Sequence, residues 1–330
     1  MRSFVKFLPL FVGLFGLAAA LWLIAHEGPE RIIKTFAQAG WGAAFVAFLH
    51  FPHMVLAGRG WQILWPKGRR PPLMLFTWVL WVREAVNSLL PVARIGGEVA
   101  ALSILRRYGL PLSSGVGSLV VETTLSVLTT FVFVLMGLLL LALSVPGYGQ
   151  MLQWGLGLLA AFLLLTGAIT LQRYGAFRLA SRVINFLGGG KWQHLVEGGA
   201  RLDRAVRAFY GRPARLISCG LWSLASWFVG AFEFWVALHL LHHPVPFTDA
   251  IILEAMIHAT GSAAFFMPAS LGIQEGTLLF FGQMLGLPGE VCLALALVRR
   301  CRDVLVMLPG LIIWQVQEGH SFLAKFLKKG

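Results

Sequence analysis

The stretch TTLSVLTTFVFVLMGLLLLALS, residues 123–144, decides the fold class. It has no charged residue and is long enough to cross a bilayer as one helix, for which about 20 apolar residues suffice. The whole chain is similar in character, with 58% hydrophobic and 12% charged residues among 330, whereas soluble domains carry about a quarter charged residues. The sequence therefore predicts an all-α polytopic membrane protein, with residues 1–330 forming a single integral membrane domain.

The net charge of +13 does not indicate a nucleic-acid partner, because the basic residues lie in a few connections between apolar segments. They are concentrated at Arg2 and Lys6, at Lys67, Arg69 and Arg70, at Arg106 and Arg107, between Arg173 and Arg215, and at Lys325, Lys328 and Lys329. The connections at 145–150, 242–247 and 286–289 contain no Lys or Arg. This asymmetry follows the positive-inside rule and predicts that the basic connections face the cytoplasm.

Charge parity predicts six full transmembrane helices and two re-entrant helical hairpins. The full crossings are expected at about 7–25, 41–65, 112–143, 150–171, 214–241 and 290–317. The first is expected to be an uncleaved helix, since it is long for a signal sequence and has no clear cleavage site. The hairpins are expected at 73–105, entering from inside, and 249–285, entering from outside. Both termini are then cytoplasmic.

Two stretches outside these spans have amphipathic patterns. Residues 29–38 are expected in an outer loop. In the basic cytoplasmic linker at about 173–213, residues 195–210 place an apolar stripe opposite Arg201, Arg204 and Arg207. The linker helix either lies at the membrane surface or packs against its own helical bundle.

An internal repeat relates the two hairpins at a constant offset of 177 residues. Pro91 corresponds to Pro268, Glu98 to Glu275, and the Gly-Leu-Pro at 109–111 to that at 286–288. Repeat A spans about 73–143 and repeat B about 249–317, and the topology makes them inverted. Inverted repeats with broken helices are typical of transporters whose site lies near the bilayer midplane. Alternatively, the two glutamates cap the helices that follow each break.

Ionisable residues inside apolar spans are costly and are functional candidates. The candidate substrate-binding and transport residues are Arg83, Glu84, Asn87, Pro91, Gly96, Gly97, Glu98, Glu122, Glu254, His258, Pro268, Gly272, Glu275, Arg299, Arg302 and Asp303. The repeat sets Glu122 opposite Arg299, which predicts that their helices pack together around one charged network. That network is either a balanced structural one, or it leaves an arginine free for a lipid phosphate and a carboxylate able to carry a proton.

Metal binding and catalysis are not expected. Glu254 and His258 are one helical turn apart, and His50 and His53 flank Pro52, but neither pair has further ligands at convincing spacing. The sequence also lacks a Gly-x-Ser-x-Gly, Walker or His-Glu-x-x-His motif. We therefore expect no metal, no cofactor and no enzymatic activity.

The motifs resemble those of a known family. NSLLPVARIGGE, residues 87–98, followed by Glu122, resembles the signature of the lysylphosphatidylglycerol synthase transmembrane (flippase-like) family. FMPASLGIQEG, residues 266–276, with RRCRD at 299–303, is similar to its hopanoid-biosynthesis-associated, HpnL-type branch. The resemblance implies a bacterial inner-membrane protein that moves lipids, either anionic phospholipids or hopanoid and other isoprenoid lipids, between leaflets. The soluble aminoacyl-transferase domain of the synthases is not expected here, so neither is synthase activity.

The leading hypothesis is an ATP-independent lipid translocase with its site between the two hairpin breaks. The alternatives are a membrane-embedded lipid-modifying enzyme that uses Glu or His as an acid or base, and a scaffold for a lipid-synthesis complex that docks partners through its basic linker.

Overall fold

The computed structural model describes residues 25, 29–90, 96–144, 159, 193–263 and 272–327. Within these ranges the secondary structure is helical throughout. The predicted crossings at 7–25 and 150–171, and the breaks that contain Pro91 and Pro268, lie outside the described residues.

The described helices are bounded as follows: α1 Pro29–Ala39, α2 Gly42–Phe48, α3 His50–Leu64, α4 Leu73–Leu89, α5 Gly96–Arg107, α6 Leu112–Ser144, α7 Gln193–Tyr210, α8 Pro213–Leu240, α9 Phe247–Ala263, α10 Ile273–Met284, α11 Gly289–Arg302 and α12 Leu308–Leu327. A short 3-10 turn lies at Lys67–Arg69, and a π-helical turn at Asp303–Met307 joins α11 to α12.

Two of the described helices, α6 with 33 residues and α8 with 28, are long and apolar enough to cross a membrane. A third crossing is possible if α1 and the segment 42–64, bent by 70° at their junction, form one span. The apolar helices predicted at 112–143 and 214–241 are therefore confirmed as helices able to span a membrane. The complete count of six crossings and two re-entrant hairpins stays a prediction.

Each predicted hairpin consists of two shorter helices. The segment 73–105 forms α4 and α5, and the segment 249–285 forms α9 and α10. At ~1.5 Å per residue, a helix of 12 to 17 residues is shorter than the ~30 Å hydrocarbon layer. The described lengths of these helices are compatible with re-entrant hairpins, which stay a prediction.

The helix bounds of the two repeats coincide at the 177-residue offset. Helices α5 and α10 begin and end at equivalent residues, and α6 and α11 begin at equivalent residues. Gly109 and Gly286 both have positive φ, at 79° and 84°. After each glycine, the N–H of the next residue donates a hydrogen bond to a carbonyl of the preceding helix, from Leu110 to Leu105 and from Leu287 to Gly282. The Gly-Leu-Pro motif thus ends one helix and starts the next in the same way in both copies.

The chain forms two compact units. Unit 1 comprises Met1–Pro52, Trp78–Ala101 and Val229–Gly330, and unit 2 comprises His53–Thr77 and Leu102–Phe228. In unit 1, α11 packs against α1, α2 and α10, and α10 packs against α9. Gly282 permits the close approach of α10 to α11, because a Cβ there would lie 2.4 Å from the sulfur of Cys292. The charged residues of α11 are therefore held inside a helical bundle.

In unit 2, α7 packs against α6. Asp203, Val206 and Tyr210 of α7 are buried, and a Cβ on Gly117 of α6 would lie 3.0 Å from the Cβ of Ala205. Of the two alternatives for the linker helix, the structure supports packing against the protein. Its arginines at 204 and 207 are exposed on the opposite face.

Candidate functional site

Unit 1 contains a cluster of charged side chains buried among apolar helices. Its cations are Arg83, Arg299, Arg300 and Arg302, its carboxylates are Glu84, Glu98, Glu233, Glu254, Glu275 and Asp303, and its histidines are His50 and His258. The burial of so many charges requires that they compensate one another, since an unpaired charge in an apolar interior is very costly.

His50, at the start of α3, lies between two carboxylates. Its Nδ1 is 2.8 Å from Oε1 of Glu233 on α8, and its Nε2 is 3.1 Å from Oε2 of Glu84 on α4. His50 and Glu233 are both buried, while the side chain of Glu84 is 27% exposed. The imidazole therefore connects a closed side of the cluster to a more open one.

Arg302, in the last turn of α11, binds the same glutamate. Its Nη1 donates to Oε2 of Glu233 at 3.2 Å, and its Nη2 donates to Oδ1 of Asp303 at 3.3 Å. The π-helical turn begins at Asp303, directly after this arginine. Within the turn, the carbonyl of Val306 accepts a 2.7 Å hydrogen bond from the Trp81 indole. Interruptions of this kind often mark functional segments of a helix.

Arg299 lies one turn earlier on α11 and pairs with Glu254 of α9, its Nη1 donating to Oε2 at 2.8 Å. The other oxygen of Glu254 is 3.0 Å from Nε2 of His258. Gly230 leaves room for this carboxylate, because a Cβ at that position would lie 2.7 Å from Oε1. The guanidinium of Arg299 also stacks 5.3 Å from the ring centre of Phe234, a cation–π contact.

Arg300 pairs with Glu275 of α10. Its Nε and Nη2 donate to Oε1 at 3.1 and 2.9 Å, and its Nη1 lies 3.6 Å from Oδ2 of Asp303. The second oxygen of Glu275 accepts the backbone N–H of Gly272 at 2.9 Å. Glu275 therefore caps the broken helix, as one interpretation of the sequence proposed, and holds an arginine as well.

The equivalent region of repeat A is arranged differently. Nη1 of Arg83 lies 3.8 Å from Oε2 of Glu98, an ion-pair distance rather than a hydrogen bond. The N–H of Gly97 donates to Oδ1 of Asn87 at 2.9 Å, so the amide side chain closes the start of α5. A Cβ on Gly97 would lie 2.5 Å from the carbonyl oxygen of Arg83. Asn87 and Gly97 thus have a clear structural role.

A small pocket adjoins the cluster. Its wall is apolar, and three charged side chains, Glu233, Arg299 and Arg302, line one part of it. The apolar lining residues are Val46, Phe234, Ala237, Leu295 and Val298. The pocket therefore places aliphatic and aromatic surface next to guanidinium and carboxylate groups.

The arginines of the cluster do not support the hypothesis that one of them lacks a carboxylate partner and is left to bind a lipid phosphate. Arg83, Arg299, Arg300 and Arg302 each lie within 4 Å of a carboxylate. An anion could bind only by displacing or sharing one of those carboxylates. Among the described residues, the cluster contains six acids, four arginines and two histidines, and its carboxylates and histidines are groups that can take up protons.

The remaining candidates lie elsewhere. Glu122 is buried on α6 in unit 2. Because Arg299 belongs to unit 1 and pairs with Glu254, a network joining Glu122 to Arg299 stays a prediction. Gly96 forms the first residue of α5. Pro91 and Pro268 fall outside the described residues.

The transport residues predicted from the sequence do not include Glu233, His50 or Arg300, although the structure places all three in the cluster. Glu233 is the one acid within the apolar helix α8, and that isolation was a usable signal. The sequence shows Arg300 only as part of a charged run and does not indicate its partner. His50 was considered only beside His53, whereas the ring of His53 hydrogen-bonds the carbonyl of Ser226 at 2.8 Å in unit 2.

Comparison with known proteins gives one family. Searches of curated proteins and of solved structures found no match. The family model for the lysylphosphatidylglycerol synthase TM region matches residues 8–310, nearly the whole chain. The predicted membership of this family is thereby confirmed, while the HpnL-type branch stays a prediction. The chain is a membrane protein that belongs to the lysylphosphatidylglycerol synthase TM-region family.

Proposed function

We propose that this protein is a lipid translocase that moves a lipid headgroup through the charged cluster of unit 1, without catalysing a reaction. The observation that carries the proposal is the burial of paired arginines and carboxylates next to an apolar pocket. A lipid has the same two-part character, with a charged or polar headgroup on apolar chains. The family match also supports a role in lipid metabolism or transport.

The broken helices support transport rather than a purely structural role for the cluster. A break between two half-helices leaves backbone N–H and C=O groups that hydrocarbon cannot satisfy, so they must face protein or water. The sequence predicts such a break in both repeats, between the end of α4 and the start of α5 and between the end of α9 and the start of α10. Transporters use breaks of this kind near the midplane.

The ion pairs suggest how a headgroup would be accepted. A guanidinium binds phosphate and carboxylate with the same planar geometry. A phosphate entering the pocket could replace Glu254 on Arg299 or Glu233 on Arg302, and the displaced carboxylate would take a proton or face another cation. When an arginine exchanges its carboxylate for a phosphate, its positive charge stays compensated during the whole passage. A single arginine without a carboxylate partner would be uncompensated before the headgroup arrived.

We also propose that the protein lies in the bacterial inner membrane with both termini in the cytoplasm. We propose further that the two repeats are inserted in opposite orientations. Arg106→Cys and Gln283→Cys test the inversion, because these exposed residues are equivalent at the 177-residue offset. With Cys301 replaced by Ser, an impermeant thiol reagent should label the two cysteines from opposite sides. Labelling of both from the same side would contradict the inversion.

Reconstitution into liposomes tests the function. Vesicles with a fluorescent phospholipid are treated with an impermeant quencher, and the protected fraction reports whether lipid has crossed. We expect wild-type protein to increase crossing, and Glu275→Gln to reduce it at least tenfold, because Arg300 loses its carboxylate and the helix loses its charged cap. Glu98→Gln should reduce it less.

The matched control is Glu30→Gln, which removes an exposed acid in α1 and should leave crossing at the wild-type rate. A hopanoid-like or polyprenyl-phosphate probe, run in parallel, distinguishes among lipid classes. Absence of crossing with every probe, or equal rates for wild type and Glu275→Gln in folded protein, would refute the proposal.

A further inference from the structure

We propose that Glu84, His50 and Glu233 together bind one exchangeable proton, and that this proton is the coupling ion of the transport cycle. The three residues are called the proton triad below. The binding of the proton follows from the geometry of the triad alone, whereas its coupling role rests on the proposed lipid translocation.

The geometry points to a proton beyond that of neutral histidine. Neutral imidazole has one N–H and one nitrogen lone pair. In the proton triad both ring nitrogens face a carboxylate oxygen, at 2.8 and 3.1 Å. One of these contacts would set a lone pair against a carboxylate unless a second proton lies between them. The proton resides either on the ring, giving imidazolium, or on a carboxylate oxygen.

The surrounding charges favour the same conclusion. Among the contacts described, His50 also meets Arg302, whose Nη1 lies 3.5 Å from Nδ1 and whose Nη2 binds Asp303. At 2.8 Å, Glu233 is much the closer neighbour of Nδ1. Within the proton triad itself, His50 faces two carboxylates, so a proton bound there offsets one of their two negative charges, which burial favours.

Loss of the proton gives a physical basis for movement. Once it leaves, a lone pair and a carboxylate remain in contact, and their repulsion separates the side chains. Glu84 is the member positioned to move, because its side chain is the most exposed of the three and it lies near the end of α4. Only an N–H or O–H bond breaks, and the proton passes to water at the open side.

Nitrogen NMR of histidine in lipid nanodiscs tests the binding of the proton. His50→Gln identifies the signal of His50 in full-length protein. We expect both ring nitrogens of His50 to be protonated at neutral pH, or one to be protonated together with a protonated-carboxyl infrared band that disappears in Glu84→Gln or in Glu233→Gln. A singly protonated ring with no such band would overturn the assignment. Glu84→Gln, at a half-buried position, provides a second test if His50→Gln does not fold.

A pH gradient across proteoliposomes tests the coupling. We expect lipid crossing by wild type to change at least threefold when the gradient is imposed, and the change to disappear in His50→Gln and Glu84→Gln. His239→Gln is the control, since this exposed histidine bonds only its own helix, at the Trp235 carbonyl, among the contacts described. It should respond as wild type does.

The outcomes separate the two proposals. Crossing that is independent of the gradient in wild type would overturn the coupling role and leave lipid translocation intact. No crossing by any variant would overturn translocation and the coupling role with it, and the NMR result would then decide the proton site alone.

Discussion

Repeats A and B share the helix bounds around their Gly-Leu-Pro turn and differ in their charges. Helices α5 and α10 have equivalent bounds, and both copies turn at a glycine of positive φ before the next helix starts. The next helices then diverge. At the positions where α11 carries Arg299, Arg300 and Arg302, α6 carries Glu122, Thr123 and Leu125.

This difference shows which parts of a repeat follow from its turn motif and which do not. Gly-Leu-Pro ends a helix and starts another for reasons of backbone geometry, so it acts alike in both copies. The third helix of each copy is free to specialise. In repeat A it is a continuous apolar helix of 33 residues, and in repeat B it is interrupted by a π turn and joined to carboxylates of α8, α9 and α10.

The largest expected effect concerns Arg302 and its equivalent, Leu125. Arg302→Met removes the cation that the buried carboxylate of Glu233 shares with the partly buried Asp303, and breaking a buried pair costs about 3–5 kcal/mol. Leu125→Met conserves volume and should cost under about 1.5 kcal/mol. Denaturant unfolding in detergent measures both. Equal losses of stability would contradict the contrast between the two helices.

The next effect compares the two repeat glutamates. Glu275→Gln should lower the free energy of unfolding by about 1–3 kcal/mol, because a largely buried guanidinium loses the nearer of its two described carboxylates. Glu98→Gln should lower it by under about 1 kcal/mol, since the Glu98 side chain is 30% exposed and its ion pair is long. The same unfolding assay applies. A larger loss for Glu98→Gln would reverse the proposed assignment of the charged site to repeat B.

The smallest difference between the two repeats is expected in the turns that they share. Gly109→Ala and Gly286→Ala each place a side chain at positive φ, at a cost of about 1–2 kcal/mol. No atom lies near the added Cβ at either site, so the cost is that of the backbone alone. The two variants should therefore unfold with the same loss of stability. A clear difference between them would show that the turns are not equivalent.

Much of the fold could be predicted from local features. The apolar runs located α6 and α8, and the repeated Gly-Leu-Pro located the ends of α5 and α10. The capping role of Glu275 followed from its position at a helix start. These features depend on neighbours in sequence, and so the sequence contains them directly.

The charged partners could not be predicted in the same way. Arg299 pairs with Glu254 and Arg302 with Glu233, 45 and 69 residues away. The repeat offset pointed instead to Glu122, because it relates equivalent positions and carries no information about contacts. The linker helix α7 was ambiguous for a related reason: an apolar stripe fits a lipid surface and a protein surface equally well.

The central claim is that a lipid enters the pocket beside Arg299 and Arg302. A phospholipid with a photoreactive group near its headgroup, cross-linked to protein in liposomes and mapped by mass spectrometry, tests it most directly. We expect labelling of pocket residues such as Phe234, Leu295 and Val298, and we expect excess unlabelled lipid to reduce that labelling. Labelling confined to exposed apolar residues such as Leu139 and Leu143 would contradict it.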